Sequence, residues 1–353
     1  MKNHILILKF FLVGVPAMAG FLAGGPVFAE EAVPAFVGDW RGGWVNPEAG
    51  YHKRSPQLTA QVVGVGEDQY RVIFREEFQR RADIIFEATG THKDGAIVIE
   101  TDTFQCQVTD SSITGAGIYK SDEPTKFALV KFIHESATMG REPPEGAVVL
   151  FDGNSLDAWE HVDGTTRESR DATWKIVDGV MEVLPAKIDK SAGGDLQTRD
   201  SFASCEMHIE FLLPYEPDNR GQGRANSGVF LQGIYEVQIL DSYGLVGDWT
   251  ECGALYKVAP PKVNRCAPPG QWQTYDITLH APEFDADGVL VKNAVMTVLH
   301  NGRLIHNQQE LFEVTYYYTD VRLGSPPREP APIILQDHGH PIRFRNVWVK
   351  PLD

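Results

Sequence analysis

Residues 294–307 read AVMTVLHNGRLIHN. Two apolar runs flank Asn301-Gly302, and Asn followed by Gly tolerates the positive φ that a tight hairpin turn demands. Asp94-Gly95 and Asp178-Gly179 also lie between apolar runs and read as the same kind of turn. Strand signals fill the intervals. In QYRVIF (69–74), Tyr70, Val72 and Phe74 alternate along one face, and AIVIET (96–101) and KFALVKFI (126–133) have strand length and β-branched content. No long amphipathic helix is legible, so the fold class is all-β.

MGREPPEGAVVLFDG (139–153) carries a linker signal, Pro143-Pro144 followed by Glu145-Gly146. It divides a β-rich N-terminal accessory domain (30–142), expected to be a small β-barrel or sandwich, from a second domain (146–353). The accessory segment opens VGDWRGGWV and holds no chemical motif. In the second, TWKIVDGVMEV (173–183), GGDLQTRDSFASCEMHIEFLL (193–213), ANSGVFLQGIYEVQILD (225–241), QWQTYDITLHA (271–281) and APIILQDHGHPIRFRNVWVK (331–350) form a succession of strands. Such a succession predicts a two-sheet, jelly-roll-like sandwich.

The first 29 residues have the anatomy of a secretory signal peptide. Lys2 and Lys9 flank an apolar stretch, and Val27 and Ala29 are small residues before the expected cleavage point. The expectation is export, to the periplasm or beyond the cell, with no membrane segment after cleavage. The net charge of −16 grows more negative once Lys2 and Lys9 are removed. An acidic surface repels phosphate backbones, which excludes nucleic acid as a partner class.

None of the four cysteines forms a CxxC pair. Cys252 and Cys266 bracket the Pro-rich ALYKVAPPKVNR and are a candidate disulfide, worth about 3 kcal/mol for a loop of that size. Cys205, in line with Met207, Ile209 and Phe211, and Cys106, in line with Phe104 and Val108, read as buried free thiols.

Candidate chemistry centres on YEVQILDSY (235–243). Tyr235, Val237 and Ile239 should face one way and Glu236 and Gln238 the other. A β-bulge would return Asp241 to the side of Glu236 and set two carboxyls along one groove wall. The spacing is similar to the E-x-D-x-x-E strand of jelly-roll glycanases such as laminarinases, with Gln and Asp standing where that group has Asp and Glu. Two neighbouring carboxyls serve as acid and base when burial and repulsion part their pKa values. The plainer reading is the outward polar face of an ordinary strand.

LQDHGHPIRFRN (335–346) places Gln336, His338 and His340 in alternation. An H-x-H pair can ligate zinc, but no third ligand stands out, so His338 is read as a hydrogen-bonding or proton-transfer group. Arg345 either supports that site or ties down the strand end through an ion pair. Asn226, in RANSGVFLQ, can orient a sugar hydroxyl or simply form a turn. Tyr256, Trp272 and Tyr316-Tyr317-Tyr318 are aromatic platforms for a sugar face, or core. EFDADG (283–288) has a fragment of calcium-loop chemistry and reads as a solvated turn. No cofactor is predicted, and a divalent metal is left without assigned ligands.

LFDGNSLDAW, TWKIVDGVMEV, GGDLQTRDSF, ANSGVFL, YEVQILDS, CGALYKV, GQWQTYDI and LQDHGHPIRFRNVWVK occur in this order over residues 146–353. Together they resemble the 3-keto-disaccharide hydrolase family, also described as 3-keto-glucoside 1,2-lyase and 3-keto-2-hydroxy-glucal hydratase. The resemblance implies a concanavalin-like jelly roll and a glycoside substrate already oxidised at C3. It also implies an acid–base pair, Glu236 and Asp241. Gln238, Gln336 and His338 would donate to hydroxyls or an enolate, with Asn226 and Arg345 in support. Gln232 stands where the family usually has Arg, and Gln273 where Asn is common. Two other readings are a non-catalytic carbohydrate-binding module and a two-carboxylate glycosidase for unoxidised glycans.

Overall fold

The computed structural model describes residues 32–45, 50–77, 83–163, 166, 168–312 and 326–352. The leader and Tyr316-Tyr317-Tyr318 lie outside the described residues.

The N-terminal strands form a closed antiparallel barrel in simple chain order. They are Gly38–Trp44, Gln57–Gly64, Gln69–Arg75, Ile84–Lys93, Ala96–Glu100, Phe104–Val108, Ser112–Gly117 and Thr125–Lys131. The first pairs with the last, Trp40 opposite Lys131 and Trp44 opposite Phe127, so no edge is left open. Tyr70, Val72, Phe74, Ile97, Ile99, Phe104, Cys106 and Val108 point inward and fill the barrel. The N-terminal part is therefore a barrel and not a sandwich.

Beyond the linker the chain forms a β-sandwich. One sheet has six strands, and its last four in spatial order are Leu196–Thr198, Ile334–Leu335, Ser227–Leu231 and Tyr235–Ile239. The other has eight, including Cys205–Leu212, Trp272–His280, Ala294–His300, Arg303–Leu311 and Arg343–Pro351. Val229, Leu231, Val237 and Ile239 from the first sheet share one apolar core with Ile209, Phe211, Ile277, Met296 and Phe344 from the second. The turns predicted from Asp-Gly and Asn-Gly are tight hairpins. Asp94-Gly95, Asp178-Gly179 and Asn301-Gly302 have φ of +54° and +81°, +53° and +76°, and +50° and +70°. Both turn residues being left-handed matches the twist of the flanking strands.

Barrel and sandwich interlock. Tyr215 of the sandwich inserts into the barrel core. It lies so close that a Cβ on Gly64 would fall 2.2 Å from its hydroxyl. Tyr243 donates its hydroxyl to Asp39 at 2.7 Å, and Arg224 donates Nη1 to the Gly64 carbonyl at 3.1 Å. The linker is pinned as well. Gly140 N–H donates to Glu210 at 2.6 Å, and Trp348 Nε1 donates to the Arg141 carbonyl at 3.1 Å.

All four cysteines are free and buried. Burial pushes the Cys106 and Cys205 thiols up to about 12. The candidate Cys252–Cys266 bridge is absent. Cys252 Sγ lies 3.1 Å from the Tyr275 hydroxyl and Cys266 Sγ 3.5 Å from the Leu240 carbonyl. Backbone bonds between Leu255 and Ala259 tighten the intervening loop in its place.

Candidate active site

The outward face of the six-stranded sheet follows from the inward one. Tyr235, Val237 and Ile239 enter the core, so Glu236 and Gln238 face out, as alternation requires. Glu236 pairs in register with Phe230, which pairs with Ile334. Gln238 is opposite Gly228, whose carbonyl accepts the Gln336 amide at 3.0 Å. Leu196 opposite Leu335 then sets Asp195 beside Gln336. Two rows therefore cross the face: an apolar one headed by Glu236, and a polar one running Gln238, Gly228, Gln336, Asp195.

Gly228 is a notch in the polar row. A Cβ there would meet Glu236 Oε1 at 2.5 Å and the Phe230 ring at 3.1 Å. The Glu236 carboxyl therefore leans over Gly228, toward Gln336 and Asp195. Only 5% exposed, it is raised to about 8, chiefly by burial and then by the charge of Asp195, with Lys257 opposing. At neutral pH this carboxyl keeps its proton. The free edge of its strand is covered by residues 253–256: Gln238 N–H donates to the Ala254 carbonyl at 2.9 Å and Tyr256 N–H to the Glu236 carbonyl at 3.2 Å. Tyr256 and Lys257 thus stand at the site.

Next to this row lies a cavity of about 280 Å³ lined by Lys187, Asp195, Gln336, Asp337 and His338. It lies just below the usual range of ligand cavities, roughly 300–1,000 Å³. Asp337 organises it. Its Oδ2 accepts the amides of Ala186 (2.6 Å) and Gly194 (3.1 Å), while its own amide donates to Asp195 Oδ1 at 2.7 Å. His161 fixes Asp195 from behind, donating Nδ1–H to its carbonyl at 2.8 Å and accepting the Thr173 amide at Nε2, 3.3 Å. Burial presses His161 down to about 4, so it is neutral. His338 is exposed at the cavity, where partial desolvation, and then the His340 charge, lower it below the ordinary histidine value.

Gln238 and Asn226 face out together and are held by Gln222, whose Oε1 accepts from Asn226 Nδ2 at 3.2 Å and from Gln238 Nε2 at 3.1 Å. Asn226 Oδ1 and Gln238 Oε1 are buried and unbonded.

Several expected members are elsewhere. The strand ends at Ile239, so no bulge returns Asp241 to Glu236. Asp241 Oδ2 accepts Arg224 Nε at 2.6 Å and Oδ1 accepts the Tyr243 amide at 3.1 Å. Burial raises its pKa, with Arg224 opposing. It is a structural tie beside the barrel interface. His338 and His340 do not share a strand face, because the strand stops at Leu335 and Gly339 turns the chain at φ +88°. His340 pairs with Glu216 at 2.8 Å, and among the described residues no three metal-ligating side chains gather. Arg345 and Trp272 lie on the other sheet, on the outward face clasped by the linker. Arg345 Nε donates to Glu210 at 2.7 Å, and its guanidinium sits 4.0 Å from the Trp272 ring centre. Burial alone would raise Glu210, but bonds from His208, Asn346, Arg345 and Gly140 N–H outweigh it and hold Glu210 at about 2. Gln232 occupies the turn after Leu231, at φ +50°. Gln273 is spent inside, its Oε1 accepting from Ala267 N–H and lying 3.0 Å from His300 Nε2. In EFDADG, Asp285 Oδ1 accepts the Asp287 and Val289 amides, a hairpin turn.

Sequence reading missed Asp195, Lys187, Asp337 and Lys257. The first lay within GGDLQTRDSF, where only the strand was read. Lys187 and Lys257 sit in loops with no periodicity to flag them.

A β-sandwich whose sheet face joins a neutral carboxylic acid, a second carboxylate, buried amides and a histidine has the equipment of a carbohydrate-active protein. The chain belongs to the 3-keto-alpha-glucoside-1,2-lyase-like domain family, whose profile matches residues 146–350. It is 22% identical to a 3-keto-disaccharide hydrolase of Bacteroides thetaiotaomicron over 262 residues, 59% of this chain and 79% of that protein. A crystal structure from Parabacteroides distasonis, provisionally described as a glycosyl hydrolase, aligns at 36% identity and TM-score 0.50. That alignment covers 59% of this chain and 85% of that one. A second from the same organism, described likewise, aligns at 20% identity and TM-score 0.43 over 59% and 95%. The protein is a glycoside-acting enzyme of this family.

Proposed function

We propose that the protein cleaves glycosides whose C3 hydroxyl has been oxidised to a ketone, by elimination followed by hydration. The carrying observation is Glu236, an acid held neutral up to about pH 8 beside a cavity of sugar-ring scale. A C3 ketone acidifies the C2 proton. Its removal gives an enolate, which expels the glycosidic oxygen from C1, and water then adds back to the resulting glucal. The departing oxygen needs a proton, and Glu236 is the group that carries one at neutral pH. Gln336 and His338, at the cavity, donate to the enolate oxygen or to ring hydroxyls. Asn226 and Gln238 offer acceptors for hydroxyls, and Tyr256 an aromatic edge. The leader sequence fits an exported enzyme, and the two sheets fit a concanavalin-like jelly roll.

The test is aglycone release by purified mature protein from a 3-keto-glucoside and from its unoxidised parent, with and without chelator. Release from the keto substrate alone is expected. Equal cleavage of the parent would point to ordinary glycoside hydrolysis, and binding without cleavage of either to a binding module.

A further inference from the structure

The elimination needs a base at C2, and the site as expected from sequence offered Asp241 for it. Asp241 is held by Arg224 and is out of reach. Glu236 already carries a proton and serves the other end of the reaction. We propose that Asp195 is the catalytic base that removes the C2 proton, on the opposite side of Gln336 from Glu236. This assignment rests on the keto-glycoside reading and deepens it.

Three observations carry it. Asp195 lines the cavity, with Gln336 and His338 beside it. It stands in the same cross-sheet row as the Gly228 notch into which Glu236 leans. Asp195 and Gly228 stand two strand spacings apart, about 10 Å, which leaves room for a sugar ring between the two carboxyls. Finally, Asp195 is fixed on both sides, its carbonyl by His161 and its Oδ1 by the Asp337 amide, which is the preorganisation a base requires. The charged and titratable groups facing the pair are Lys187 and His338 from the cavity wall, Asp337 behind Asp195, and Lys257 beside Glu236. Lys187 places a cation where enolate charge develops.

The chemistry balances. Asp195 takes the C2 proton, and the C–H electron pair forms the enolate. That pair then becomes the C1–C2 double bond as the C1–O bond breaks, and Glu236 protonates the leaving oxygen. In hydration Glu236, now ionised, takes a proton from water whose oxygen adds to C1, and Asp195, its acquired proton exchanged with solvent while the glucal is bound, protonates C2. Both groups regain their starting states.

The experiment is C2 hydrogen exchange and aglycone release with a 3-keto-glucoside in D2O. Wild type should do both. Asp195→Asn should lose both by about 100-fold or more, whereas Glu236→Gln should keep exchange and lose release. Asp195→Ala should lose exchange likewise and regain part of it with added formate, which tests the assignment even if Asp195→Asn fails to fold. A folded Asp195→Asn or Asp195→Ala that exchanges at the wild-type rate without formate overturns the proposal. Wild type inactive in both assays would instead reject the keto-glycoside reading.

Discussion

At the residue scale the site turns on an absent side chain. Gly228 leaves the space that Glu236 fills, with the Phe230 ring at its edge. The result is an acid raised to about 8. A raised carboxyl penalises the fold between its two pKa values. The unfolded chain ionises from the ordinary 4.5 upward, while the folded protein holds its proton to about 8. Glu236→Gln should therefore abolish turnover yet stabilise the protein. The gain should be small near pH 5 and grow by up to about 1.4 kcal/mol per pH unit toward pH 8. Urea unfolding at the two ends of that window checks it, and a gain that shrinks with rising pH would contradict the buried-acid picture. Alternation along YEVQI was enough to predict the outward placement of Glu236 and Gln238. The fate of Asp241 was not legible, because the strand ends two residues earlier and a distant arginine captures it.

At the element scale the turns were the most readable part of the chain, since Asp-Gly and Asn-Gly act through local backbone sterics alone. Gly179 at φ +76° has open space where a Cβ would go. Gly179→Ala should thus cost only the left-handed backbone, about 1 kcal/mol, with activity unchanged. Denaturant midpoints and steady-state rates would show it, and a neutral substitution would mean that the turn relaxes to another type. The H-x-H expectation failed for a related reason. It assumed strand alternation through Gly339, the residue at which the chain turns. Arg345 and Trp272 were misplaced by a longer-range effect. Which outward face carries the site depends on sheet order, and pairing between strands distant in sequence leaves no local trace.

On the scale of the whole molecule, barrel and sandwich are joined by buried polar ties that single strands do not announce. Arg224 links Asp241 of the sandwich to the Gly64 carbonyl of the barrel, and Tyr215 plugs the barrel wall at the same glycine. Arg224→Met leaves the Asp241 charge buried and uncompensated, and should destabilise by about 3–5 kcal/mol. Calorimetry should show one cooperative transition splitting toward two. An unchanged single transition would mean that the interface contributes little. The reaction itself is read from the isotope content of its product. When a 3-keto-glucoside is cleaved in D2O, elimination and hydration place one solvent deuterium at C2 of the released 3-keto sugar. Product collected early, and corrected for spontaneous exchange, should carry it. Product bearing only hydrogen at C2 would show direct displacement at C1 and rule out elimination.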